Sequence, residues 1–109
     1  MNNLNDITNA VVAMFKEYEK TGTNPWNHRV AAFDLSYQVG SLAKRVAQLH
    51  NDRYREGMDD EQIKVLIADE LADIIAESLF IAHDFGIDME QAFANMFKSD
   101  EKKIEARSS

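Results

Sequence analysis

At 109 residues the chain has material for one hydrophobic core and not for two ordinary domains, and its 45% hydrophobic and 28% charged content is globular rather than disordered. One proline and four glycines leave too little turn material for an all-β fold, and the lack of cysteine excludes disulfides and thiolate metal sites. The net charge of −7, from 19 acidic against 12 basic residues, disfavours nonspecific nucleic-acid binding and admits a small polyphosphate only with a divalent metal between it and the carboxylates.

The amino-terminal stretch MNNLNDITNAVVAMFKEYEK is interrupted by Asp6 and Glu17 and lacks a basic leader, so no signal peptide is expected. No apolar run approaches the roughly 18 residues of a membrane span, and a soluble, cytoplasmic protein is the default expectation. A first helix is predicted over Leu4 to Lys20, where Leu4, Ile7, Val11, Met14, Phe15 and Tyr18 recur at three- and four-residue steps. It should break at Thr21-Gly22-Thr23-Asn24-Pro25, with Trp26 packing at the entrance of the next helix.

A second helix is predicted from Asn27 to Asn51. Leu35, Val39, Leu42, Val46 and Leu49 form one apolar stripe, while Val30, Phe33 and Tyr37 form another on nearly the opposite side. A helix with two apolar faces is covered twice, inside a bundle or across a subunit interface. Asp34, Gln38, Ser41 and Arg45 form a polar stripe between the two. After the polar segment NDRYREGMDD, Asp59 or Asp60 should cap a third helix running to about Phe85, with Ile63, Ile67, Leu71, Ile74, Ser78, Ile81 and Phe85 as its core stripe. Gly86 should stop it, and Asp88 should cap a short fourth helix carrying Met89, Ala92, Phe93, Met96 and Phe97 to the core. The fold expected is therefore all-α: an antiparallel bundle of about four helices in one domain over residues 1–98, with 99–109 a polar, frayed tail.

The third helix carries the informative residues. Glu70, Asp73 and Glu77 stand at i, i+3 and i+7, three carboxylates in one line beside the apolar stripe. No lysine or arginine follows four residues after Glu70 or Glu77, where Ile74 and Ile81 stand. An acidic line without bases offers a hard divalent cation its oxygen ligands; a merely solvated acidic face is the alternative. His28, His50 and His83 are too scattered to form a ligand pair, and there is no nucleophile triad or phosphate-cradling glycine loop.

The segments DLSYQVGSLAKRV and DELADIIAESLFIAHDFGID together resemble the MazG-like, all-α nucleotide pyrophosphohydrolases. Val39-Gly40 and Leu42-Ala43 match that family's Glu-Glu-Val-Gly-Glu-Leu-Ala helix, Glu70-Leu71-Ala72-Asp73 matches its second motif without gaps, and Gly86-Ile87-Asp88 matches its closing turn. Trp26 stands where many members carry a tryptophan, and Asn95-Met96-Phe97-Lys98 resembles an Asn-Met-x-Lys element of some relatives. The resemblance implies magnesium, or manganese, held by carboxylates of the two motifs, and cleavage of a nucleoside or deoxynucleoside triphosphate into monophosphate and pyrophosphate. It also implies Glu70 and Asp73 as catalytic metal ligands. The chain departs from the family at Tyr37, Gln38 and Ser41, which replace the first motif's three glutamates. Asp34 and Glu77, one turn beyond each motif, would complete a shifted metal site with Glu70 and Asp73. Gln38, Ser41, Asn95 and Lys98 are the candidate substrate contacts. The expected partners are the nucleotide and a second copy of the chain, as a homodimer or tetramer, and neither nucleic acid nor membrane. A non-catalytic nucleotide-binding protein and a structural or partner-binding helical dimer remain the alternatives.

Overall fold

The computed structural model describes residues 3–22 and 26–108. It is all-helical: α1 (Leu4–Lys20), α2 (His28–Leu49), α3 (Asp60–Asp84) and α4 (Met89–Ser108), with no strand among the described residues. Local chemistry sets the ends. Asn3 Oδ1 accepts from the Asp6 amide at 2.9 Å to open α1, and Asn27 Oδ1 accepts from the amides of Arg29 and Val30 at 2.9 and 3.0 Å to open α2. Asp59 and Gln62 form a reciprocal capping box at the start of α3. At its end Gly86 has φ +67, and the amides of Gly86 and Ile87 reach back to the carbonyls of His83 and Ala82, so the last turn closes on a left-handed glycine. Thr21 caps the end of α1; Thr23, Asn24 and Pro25, the rest of the expected breaker, lie outside the described residues.

α2 and α3 pack against each other, and α1 lies on α3 and touches α4. The buried nucleus is Val12 of α1, Ala31 of α2 and Phe80 of α3, with Val11, Phe15, Trp26 and Ile81 packed on it. Phe15 stacks on Trp26 with ring centroids 4.7 Å apart, and Phe80 meets Phe15 edge-on at 5.0 Å, tying α1, the approach to α2, and α3 together. At the far end of the hairpin Gln48 is completely buried. It donates to the Tyr54 carbonyl at 3.0 Å and accepts from Arg45 at 3.1 Å, anchoring the connection whose Asn51, Glu56 and Gly57 adopt positive φ.

The burial pattern corrects several expectations. Val39 and Val46 on α2, and Leu71 and Phe85 on α3, were expected in the core and are exposed. Instead the α2 stripe of Asp34, Gln38, Ser41, Arg45 and Gln48 is buried or half-buried, and Ser41 bonds α3 directly, so the polar stripe turns inward and the apolar stripes flank it. Phe93, Met96 and Phe97 of α4 are exposed as well, because α4 packs chiefly on α1 and lightly there. That helix also continues to Ser108 rather than fraying after Lys98: Glu, Lys, Ala and Arg dominate its last turns, and Lys103 pairs with Asp100.

Candidate active site

The acidic line of α3 and the inward polar stripe of α2 meet. Ser41 Oγ donates to Glu70 Oε1 at 2.9 Å. One and two turns further along α3, Asp73 and Glu77 join Asp34 and Gln38 in lining a cavity of about 480 Å³. Its other walls come from α1 and the approach to α2: Met14, Phe15, Tyr18 and Trp26, with smaller apolar side chains beside them. The cavity is thus apolar and aromatic on one side and acidic on the other, and none of its lining residues is basic.

Glu77 is the unusual member. Its side chain is only 4% exposed, and Oε2 has no hydrogen-bond donor. Burial, the adjoining Asp34 carboxyl and the charge of Asp73 push its pKa up to about 8, so it carries a proton at neutral pH. Asp73 is also raised, by burial and then by the charges of Glu70, Asp69 and Asp34. A group of carboxyls that raises its members' pKa values in this way satisfies itself with a proton or with a cation.

Four of the residues singled out in the sequence, Asp34, Gln38, Asp73 and Glu77, therefore line one cavity, and Glu70 and Ser41 form a bonded pair one turn away. Glu70 Oε2 is buried without a donor, like Glu77 Oε2. Among the described residues no three Asp, Glu or His side chains stand ready-grouped to hold a metal ion. Asn95 and Lys98 lie on α4, away from the cavity lining, and Asn95 accepts from Gln91 at 2.9 Å. His28 is committed elsewhere, with Nδ1 2.9 Å from Asp84 Oδ2. What the sequence did not reveal is the role of α1: Ile7, Val11, Met14, Phe15 and Tyr18 read as an ordinary core stripe, and they wall the cavity.

No family model matches the chain, and no curated protein or solved structure does so either. No helix of the described residues is long and apolar enough to cross a membrane.

Proposed function

We propose that the chain is a divalent-metal-dependent nucleotide pyrophosphohydrolase of the MazG-like type, cleaving a nucleoside or deoxynucleoside triphosphate to monophosphate and pyrophosphate. The observation that carries this reading is the pair of buried carboxylate oxygens without donors, Glu70 Oε2 and Glu77 Oε2, flanking Asp73 on one helix beside an aromatic-walled cavity. Burying such oxygens unpaired is costly unless a proton or cation answers them. Magnesium retains several waters and needs only one or two protein carboxylates when substrate phosphates complete its shell, so a set short of three pre-grouped ligands still suits it.

In this reading Glu70 and Asp73 hold magnesium or manganese, and Asp34 and Glu77 stand in for the first motif's missing glutamates. The ion would supply charge neutralisation at the phosphates and a water of lowered pKa. The chain's own contributions are positional. Ser41 fixes the Glu70 carboxylate through its 2.9 Å hydrogen bond, leaving the second oxygen for the ion. The acidic wall repels phosphate that arrives without metal. Asn95 and Lys98 do not line the cavity, and in this reading a second copy of the chain brings them to substrate.

That second copy belongs to the same proposal. α2 presents Phe33 and Tyr37 to solvent, 81% and 69% exposed, opposite its packed side. A homodimer, or a pair of dimers, is the natural cover for them. Tyr37, Gln38 and Ser41 favour a second reading, in which the pocket binds nucleotide without turnover. Pyrophosphate release from ribo- and deoxynucleoside triphosphates, with magnesium or manganese, decides between the two. Turnover lost in a Glu70→Gln/Asp73→Asn double variant establishes the hydrolase. No turnover on any substrate, with stabilisation by nucleotide retained, establishes the binding protein. Neither turnover nor stabilisation leaves the chain as a structural helical dimer.

A further inference from the structure

The cavity is walled unequally. Half of its lining side chains belong to α1, while its acidic wall belongs to α2 and α3, which make the most extensive helix contact of the fold. Ile7, Met14 and Tyr18 of α1 face about 480 Å³ of cavity where a core helix would meet packed atoms. Of the 17 residues of α1 only Val12 is buried. α4 adds little hold on it, since none of α4's own residues is buried. A helix seated by so little apolar contact opens before the rest of the fold, because local opening costs only the contacts that it breaks.

The contacts at the C-terminal end of α1 show where it parts. Phe15 lies flat on Trp26 with ring centroids 4.7 Å apart, and the Trp26 amide donates to Glu19 Oε1 at 3.1 Å. Stacked rings separate without stranding a polar group, and the exposed amide finds water when Glu19 leaves. The other side of the same segment is fastened more firmly. Asp84 of α3 accepts from both the amide and Nδ1 of His28, at 2.9 Å each, and the His28 ring lies 4.5 Å from that of Phe85. Trp26 therefore stays with α2 and α3. Gly22, at φ +92, ends the α1 side of the joint in a conformation that tolerates rotation. We infer that α1 is the gate of this cavity: it lifts off α3 as a unit, parting between Phe15 and Trp26, and closes again onto Phe80 through Phe15 and Val12. The inference stands apart from the nucleotide reading, since such a gate admits whatever the cavity takes.

The test reads native-state amide exchange of the full chain together with thiol labelling of the cavity. The amides in the middle of α1 should exchange as one group, about a hundredfold or more faster than those in the middle of α3. Val12→Ala should quicken the α1 group by about a further tenfold and leave α3 unchanged. Glu19→Gln replaces a charged acceptor with a neutral one and should quicken it by a smaller factor. Being an exposed change that leaves the buried nucleus intact, it decides alone should Val12→Ala unfold the chain. The chain has no cysteine, so Ala76→Cys on the α3 wall of the cavity supplies a single thiol. Its labelling by a bulky maleimide should quicken in step with α1 exchange when either change is added. One exchange rate for α1 and α3, or both helices quickened alike by Glu19→Gln, makes α1 part of a single cooperative unit and overturns the inference. Labelling that stays constant while α1 exchange quickens means that the cavity is entered elsewhere, and overturns it too.

Discussion

At the scale of single residues, Glu77 governs how this protein responds to pH. Its carboxyl is held up to about 8 in the folded chain against an ordinary value near 4.5, so between those values the folded state carries a proton that the unfolded chain has released. The stability this confers is complete below the unfolded value and is lost as pH rises through the folded one. Asp84 and Asp60 work in the opposite direction. Hydrogen bonds from His28 and from Arg55 hold them below the usual carboxylate range, and their contribution is lost as pH falls into the acid range. The thermal midpoint should therefore fall steadily from about pH 4.5 to 8, with a separate acid limb at lower pH. Glu77→Gln should flatten the upper slope while leaving the acid limb, and at pH 9 it should melt above the parent by about 4–8 °C for each kcal/mol recovered. A parent whose midpoint is level from pH 5 to 8 would show that Glu77 is not protonated in its buried position.

The helices themselves were largely legible, because their ends are written in local chemistry. Asn27, Asp59 and Gly86 each mark a boundary with a side chain or a conformation that the backbone needs there, and all three mark it in the structure. Burial was less legible. A stripe of Asp34, Gln38, Ser41, Arg45 and Gln48 looks like a solvent face by composition, and only the partner groups on α3 and in the following connection make it an inward one. The candidate site was legible for the same reason as the helix ends: carboxylates at helical spacing fall on one side whatever lies opposite. Its aromatic wall was not, since α1 contributes through a contact distant in sequence. Two changes measure these features. Asp59→Ala removes half of the capping box and should cost about 1 kcal/mol. Gln48→Ala opens a void and strands the Tyr54 carbonyl, leaving the Arg45 guanidinium with its 3.8 Å pairing to Glu56, and about 2–4 kcal/mol is expected. Urea unfolding of each variant gives the value, and a Gln48→Ala loss no larger than that of Asp59→Ala would mean that the connection is held by its own turns.

At the scale of the whole molecule, the single chain is more open than a compact monomer of its length, which is the ground for the association proposed above. Its radius of gyration is 17.4 Å, where a compact chain of this length has about 13 Å. It exposes 7974 Å² of surface, about 1,800 Å² more than a compact monomer of 12.4 kDa. The excess is of the size that a stable homodimer removes from each subunit. It is also apolar where it matters, since Phe33 and Tyr37 lie one turn apart on α2, and Phe93, Phe97 and Ile104 follow one another along α4. Two separate stripes permit either a dimer closed through one of them or a tetramer using both, and variants of each stripe distinguish these. Sedimentation at micromolar concentration should find no monomer in the parent chain. Phe33→Asp/Tyr37→Asp should shift the α2 association by at least tenfold in dissociation constant, because charges at the centre of an apolar contact cost more than the roughly 1.4 kcal/mol that a factor of ten represents. Phe93→Asp/Phe97→Asp should reduce a tetramer to a dimer and leave a dimer closed through α2 unchanged. A parent chain that sediments as a monomer would mean that both stripes stay in water, and Asn95 and Lys98 would then have no route to the cavity of a neighbouring copy.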